Sequence, residues 1–374
     1  MRWVLWSAIA VAAGRVVNAL TASTIGDCPS LAPRNSTPSN VRDLRPDDIK
    51  VVGALGDSIM AGFALMGIDE GGSGILNLSA ITEYRGHSWA IGGDNGAVTM
   101  ANFVKRYSSS LQGPSLGHHL AEICNGLFCL DFLRYPSKDV LNAALSGAIA
   151  MNLDNELDYL IRRMKAMKNI DFSNDWKMIT IQIGSNDQCA SCLSPWKSEV
   201  TADKFGSYVE KAVQRIQKSI PRTIVNLVGS FKVSPVYSLT KGQEYCRAIP
   251  NLPDAQLNRV ECSCFLGSDE DLAKMDDLAD NYNIKLKAIY DKYKAQNSDT
   301  FAVTYQPADI NVAGFPIEAL SNVDCFHPSE ITHKWVAKIV WNSLFTPAGD
   351  RGGVYNFDAN TPIYCPGEND RIQI

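Results

Sequence analysis

Apolar and polar positions divide this chain into short apolar runs that alternate with longer amphipathic stretches. Residues 49–55 form a compact run rich in β-branched side chains and too short for a helix, which predicts a strand covered on both faces. Runs of the same kind fall at 140–147, 177–184, 223–229 and 301–305. Between them the apolar residues recur three and four apart. Leu157, Leu160, Ile161, Met164 and Met167 mark one helix face, and Phe205, Tyr208, Val209, Ala212, Val213 and Ile216 mark another. A long helical stretch over 269–294 carries Leu272, Met275, Leu278, Ala279 and Tyr282, and Ile331, Trp335, Ile339 and Val340 mark the last helix. Strands alternating with helices predict an α/β fold, a three-layer α/β/α sandwich around a parallel sheet. No repeat or linker breaks the rhythm, so residues 48–367 read as one domain and 368–374 as a short tail.

Other stretches lack periodicity. Residues 23–47 hold Pro29, Pro33, Pro38 and Pro46 and read as an irregular leader. Residues 67–96 are glycine-rich, 108–137 are irregular, and 230–268 form an excursion from the sheet with three prolines and three cysteines. These loops are lid candidates by position. His118-His119 reads as an exposed loop pair, His87 as a loop residue and His333 as a helix-surface residue.

Composition narrows the partners. Lys+Arg 35 against Asp+Glu 40 leaves a net charge of −5 with no long run of either sign, which argues against nucleic acid as the main partner. Residues 1–22 read as a secretory signal peptide: Arg2 precedes the apolar run 3–14, Arg15 cuts that run short of a membrane span, and Val17-Asn18-Ala19 offers small residues for cleavage. No later stretch is apolar enough to cross a bilayer, and the C-terminus has no hydrophobic tail, so the expected mature protein is secreted and unanchored. Ten cysteines fit an oxidising compartment. Cys189-x-x-Cys192 with Cys262-x-Cys264 is too tightly spaced for a usual zinc site, and disulfides are favoured, with the pairing open. Asn35-Ser36-Thr37 and Asn77-Leu78-Ser79 are N-glycan acceptor sequons.

The chemistry lies at the strand ends. In an open parallel sheet, ligands sit outside the carboxyl ends of the strands. Three polar turns are expected there: Asp57-Ser58, Ser146-Gly147 and Asn186-Asp187. Ser58 would start a helix with its hydroxyl exposed and its own N–H unpaired. A serine nucleophile needs a base oriented by a carboxylate, and Asp324-Cys325-Phe326-His327 supplies both at the mouth of the last helix. Together these residues would make an acyl-transfer site: Ser58 as nucleophile, His327 as base, Asp324 as its orienter. The Ser58 and Gly147 N–H groups and the Asn186 amide would face the oxyanion.

The blocks Gly56-Asp57-Ser58, Asn142-x-Ala144-x-Ser146-Gly147, Gly184-x-Asn186-Asp187 and Asp324-x-x-His327 occur in the order of the GDSL, or SGNH, hydrolases, which this chain resembles. The match is closer to the phospholipase B branch, through Asp48 to Ser58, Thr82-Glu83-Tyr84-Arg85-Gly86-His87-Ser88-Trp89 and Pro221-Arg222-x-x-Val225-Asn226. The resemblance covers roughly residues 44–366. It implies a flavodoxin-like five-stranded sheet and a metal-free, cofactor-free esterase on phospholipids or lysophospholipids. It also implies the same roles for Ser58, Asp324, His327, Gly147 and Asn186. Ser185 departs from the branch, which often has a second glycine there. Two alternatives stay open: an esterase on another oxygen ester, such as an acetylated sugar or neutral lipid, and a non-catalytic secreted lipid-binding protein.

Overall fold

A computed structural model describes residues 20–68, 81–129, 134–246, 248–249 and 252–374. Most of the expected signal peptide, and the Asn77 sequon, lie outside the described residues. The central sheet is parallel and has four strands in the spatial order β1 (Ile49–Gly56), β2 (Trp176–Gln182), β3 (Thr223–Val228) and β4 (Phe301–Gln306). Side chains alternate across it. Val51, Leu55, Ile179, Ile181, Val225, Leu227 and Val303 face one core, and Val52, Ala54, Met178, Ile224 and Ala302 face the other.

Helices cover both faces. The first core is closed by α3 (Leu153–Ala166), α5 (Ala202–Ser219) and α6 (Asp269–Gln296), whose apolar stripes bury Leu157, Val209 and Leu286. The second is closed by α2 (Met100–Tyr107) and α7 (Glu330–Ser343), through Phe103 and Trp341. Two shorter helices, α1 (Ser58–Ala61) and α4 (Ser185–Ala190), begin just past the ends of β1 and β2. The three-layer arrangement is as expected.

The strand expected over 140–147 is a correction: the sheet has four strands, not five. Residues 140–147 do run beside β1, where Ala54 donates to the Leu141 carbonyl (3.0 Å) and Ala143 and Leu145 donate to Ala54 and Gly56 (2.8 and 3.1 Å). Counted in that position, the segment gives the flavodoxin-like order 2-1-3-4-5. It is no regular strand because three of its carbonyls are taken by arginines. Arg85 donates to the Asn142 and Ala144 carbonyls (3.2 and 3.0 Å), and Arg134 to that of Ala143 (2.9 Å). Val140 also turns through φ 50°.

Both ends of the described chain are fastened. Thr21–Ala22, which fall in the span read as signal peptide, form a short antiparallel ladder with Ile363–Tyr364, and Cys28–Cys365 closes the same junction. In the leader, Arg34 bridges Asp43 and Asp48. Residues 368–374 pack rather than trail: Ile372 is buried and donates to the Leu44 carbonyl at 2.9 Å. The tail's backbone thus finds partners on the second core.

All ten cysteines are paired. Cys189–Cys262 and Cys192–Cys264 tie the excursion to α4, Cys246–Cys325 ties it to the loop before α7, and Cys124–Cys129 closes a hairpin. The tight cysteine spacing therefore belongs to two side-by-side disulfides.

Candidate active site

The turn after β1 is built by three residues. Gly56 is required because a Cβ there would meet the Gln182 carbonyl at 2.3 Å. Asp57 caps α1 by accepting from the Ile59 N–H at 3.0 Å. Ser58 then starts the helix, so its own N–H has no intrahelical acceptor. Complete burial pushes the Asp57 carboxyl up to about 6, against the stabilising Ile59 hydrogen bond and the His327 charge.

Across the cleft, the Asp324–His327 loop folds on its own carboxylate. Asp324 Oδ1 accepts from the Phe326 and His327 N–H groups (2.9 and 3.0 Å), and Cys325 between them adopts φ 52° while disulfide-bonded to Cys246. This tight turn delivers the imidazole between its two partners. His327 Nδ1 lies 2.7 Å from Asp324 Oδ2, and Nε2 lies 2.7 Å from Ser58 Oγ. The structure thus brings Ser58, His327 and Asp324 together as one hydrogen-bonded relay, although 269 positions separate Ser58 from His327. Phe63 and Phe326 pack on the His327 ring.

Burial disfavours the His327 imidazolium, but the charge and hydrogen bond of Asp324, with Glu261 and Asp57 behind them, outweigh it and raise the pKa to about 9. Glu261 sits 4.0 Å from His327 Nδ1, on the disulfide-tied excursion. Crowding by the protein and the charge of Asp324 hold its carboxyl well above the usual range. A base must be neutral to accept a proton. With the folded pKa above the ordinary 6.5, kcat/KM of the free protein is expected to rise with pH and reach half-maximum near pH 9. A pH–rate profile with a short soluble ester checks this, and a half-point at pH 6–7 contradicts it.

The other expected residues converge on the same edge. Leu145 donates to Gly56 O, which runs Ser146-Gly147 alongside Ser58. Gly147 needs its φ of 81°, where a side chain would be strained and would press on the Cys124 carbonyl. Asn186 donates to Ala148 O at 3.0 Å, and its second amide hydrogen is unpaired among the described residues. Asp187 accepts from the Ala150 N–H through both oxygens, and burial pushes its carboxyl up to about 7.

Two residues differ from expectation, and a third carried none. His333 is buried, not on the helix surface, and its Nδ1 accepts the Trp89 N–H at 3.2 Å. His119 is likewise buried, bonded to Asp139 at 2.8 Å, while His118 is exposed. Arg85 is fully buried among Glu83, Glu122 and Asp139, at 2.6, 3.6 and 3.5 Å. A buried arginine two residues after a glutamate is a faint sequence signal, because its other partners arrive from far along the chain.

Among the described residues, two groups have ligand atoms close enough for a cation: His119, Glu122 and Asp139, and Glu261, Asp324 and His327. In the first, Arg85 and Arg134 already neutralise the carboxylates (Arg134 to Glu122, 3.2 Å). In the second, both imidazole nitrogens are engaged by Ser58 and Asp324.

Sheet order, turn chemistry and site define an α/β ester hydrolase. The chain belongs to the GDSL-like lipase/acylhydrolase family, whose profile matches residues 52–340. Among curated relatives, it is 30% identical over 354 residues to "Phospholipase B1, membrane-associated" of Rattus norvegicus, covering 91% of this chain and 23% of that protein. It is also 30% identical to the Homo sapiens protein of that name, covering 91% of this chain and 22% of that protein. The chain therefore spans less than a quarter of these relatives' length. Solved structures are more distant. An acetylxylan esterase from Geobacillus stearothermophilus is 14% identical, covering 78% of this chain and 93% of its own, with a TM-score of 0.38.

Proposed function

We propose that this chain hydrolyses acyl ester bonds of phospholipids and lysophospholipids through a Ser58–His327–Asp324 triad and an acyl-enzyme. The observation that carries the reading is the hydrogen-bonded relay from Asp324 through His327 to Ser58, set at the carboxyl end of the sheet. Ser58 Oγ attacks the ester carbonyl as His327 Nε2 takes its proton. Asp324 holds the ring tautomer and offsets the imidazolium charge. The Ser58 and Gly147 N–H groups and the Asn186 amide receive the oxyanion. His327 then protonates the departing alcohol, and a water deprotonated by the same base releases the fatty acid. No metal or cofactor enters this sequence of steps.

The phospholipid substrate is supported by the relatives' name alone. Secretion is supported by the signal-like N-terminus and the five disulfides. Cleavage after Ala19 would keep Thr21–Ala22 in their ladder with Ile363–Tyr364. Asn35 is exposed and open to glycosylation, and Asn77 remains a second candidate by its sequon. Among the described residues no helix is long and apolar enough to cross a membrane.

The test is product analysis with chelator present, using phosphatidylcholine, lysophosphatidylcholine and an acetylated oligosaccharide. Release of fatty acid and glycerophosphocholine from both lipids is the expected outcome. Cleavage of the sugar ester alone would move the substrate to the acetylated carbohydrates, and silence on every ester would leave a lipid-binding protein. Within the active enzyme, Asn186→Ala is expected to lower kcat by about 10²–10³ with little change in KM, since it removes one oxyanion donor. Single-turnover kinetics on a soluble ester check this.

A further inference from the structure

A narrow apolar cavity lies beside the relay, between α7, the end of the sheet and the loop after β4. It holds about 800 Å³ of empty space, its open mouth included. One part of its wall is Ile59, next after Ser58, with Phe326 and Pro328 on either side of His327. The wall continues through Ala308, Val312 and Val336, away from the relay in sequence and element.

The few polar side chains on this wall are nearly all spent within the protein. Gln182 accepts from the Trp89 indole at 3.0 Å, Thr332 donates to the Ala319 carbonyl at 2.6 Å, and Gln306 binds Asn226 and Ser343. The exception is His333, which is 1% exposed. Its Nδ1 accepts the Trp89 N–H, so the neutral ring carries its proton on Nε2, and that N–H has no partner among the described residues. Burial and the neighbouring His327 charge push its pKa down to about 3, which keeps the ring neutral and Nε2 a donor only. A buried donor without an acceptor is costly.

We propose that this cavity receives the acyl chain of the ester cleaved at Ser58. The inference rests on the ester-hydrolase reading of Ser58. A methylene chain suits a narrow, dry channel, gaining free energy with each carbon buried, whereas water would have a single hydrogen-bonding point. The wall is also stiff: Phe326 packs edge-on against Phe265 of the excursion, which is tied down by Cys262 and Cys264. Such a channel discriminates by chain length rather than by head group.

The test fills the cavity from two sides, with Val336→Trp and Ala308→Leu, and follows hydrolysis of butyryl and palmitoyl esters. In a variant that keeps its melting temperature, kcat/KM for palmitoyl is expected to fall about 10-fold or more while butyryl stays within about twofold. An unchanged palmitoyl-to-butyryl ratio in both variants overturns the proposal. A binding arm separates this from a failure at Ser58. Fluorescent parinaric acid should bind Ser58→Ala saturably, lose affinity with Val336→Trp added, and be displaced by palmitate and palmitoyl-lysophosphatidylcholine alike. Absence of saturable binding, or displacement by free palmitate only, overturns it. If Ser58→Ala still hydrolyses esters, the function reading fails while the binding arm decides the cavity.

Discussion

Ser58→Ala is expected to lower kcat for ester hydrolysis by about 10⁶-fold while leaving the fold intact. The size follows from the relay acting as one unit. Without the hydroxyl, His327 and Asp324 have no serine proton to move, and only the proposed oxyanion donors would remain to stabilise attack by water. His327→Ala should cost about as much, and Ser58→Ala with His327→Ala little more than either alone. The fold should survive because, among the described residues, Ser58 Oγ is bonded only to His327, at 2.7 Å, and the capping of α1 belongs to Asp57. The measurement is kcat on a soluble ester together with the thermal midpoint. Undiminished activity at an unchanged midpoint would move the nucleophile elsewhere. Equal losses from both singles and the double are the signature that a mere positioning role for Ser58 would not give.

The relay was readable from sequence because each part obeys a local rule. Gly56 makes the turn, Asp57 caps, Ser58 starts a helix, and Asp324 and His327 sit within one turn of each other. The alternation of runs gave the layers for the same reason, since one face of each element must be apolar wherever it packs. What escaped depends on distance. Residues 140–147 are apolar enough for a strand, yet the groups that take their outer carbonyls are Arg85 and Arg134, and Arg85 stands 57 positions before Asn142. His119 and His333 looked like loop and surface residues until Asp139 and the Trp89 N–H came to meet them from other elements. A polar residue reads as exposed unless its partner is near in sequence, and here the partners are not.

Arg85→Met is expected to destabilise the protein by about 3–5 kcal/mol, the usual cost of removing one partner from a buried ion pair. Arg85 is fully buried, and burial disfavours its charge, but Glu83, Asp139 and Glu122 together raise its pKa further above the ordinary arginine range. Removing it takes the guanidinium from Glu83, leaves Asp139 with His119 as its charged partner, and leaves Glu122, already pushed up to about 7 by burial, with Arg134. The Asn142 carbonyl loses this donor as well, and the Ala144 carbonyl keeps only Arg134, at 3.3 Å. Arg85→Lys should recover only part of the loss, because an ammonium cannot span Glu83 and two carbonyls as the planar guanidinium does. The consequence should reach the site. Glu83 also accepts from the Ser146 hydroxyl, next to Gly147, so the network holds the turn that carries one proposed oxyanion donor. A folded Arg85→Lys protein should therefore show a lower kcat with nearly unchanged KM, and the thermal midpoint and the kinetics can be measured on the same sample. A lowered midpoint with wild-type kcat would confine Arg85 to the fold. A wild-type midpoint for Arg85→Met would mean that water can replace the guanidinium, and the account of why 140–147 is not a strand would fall with it.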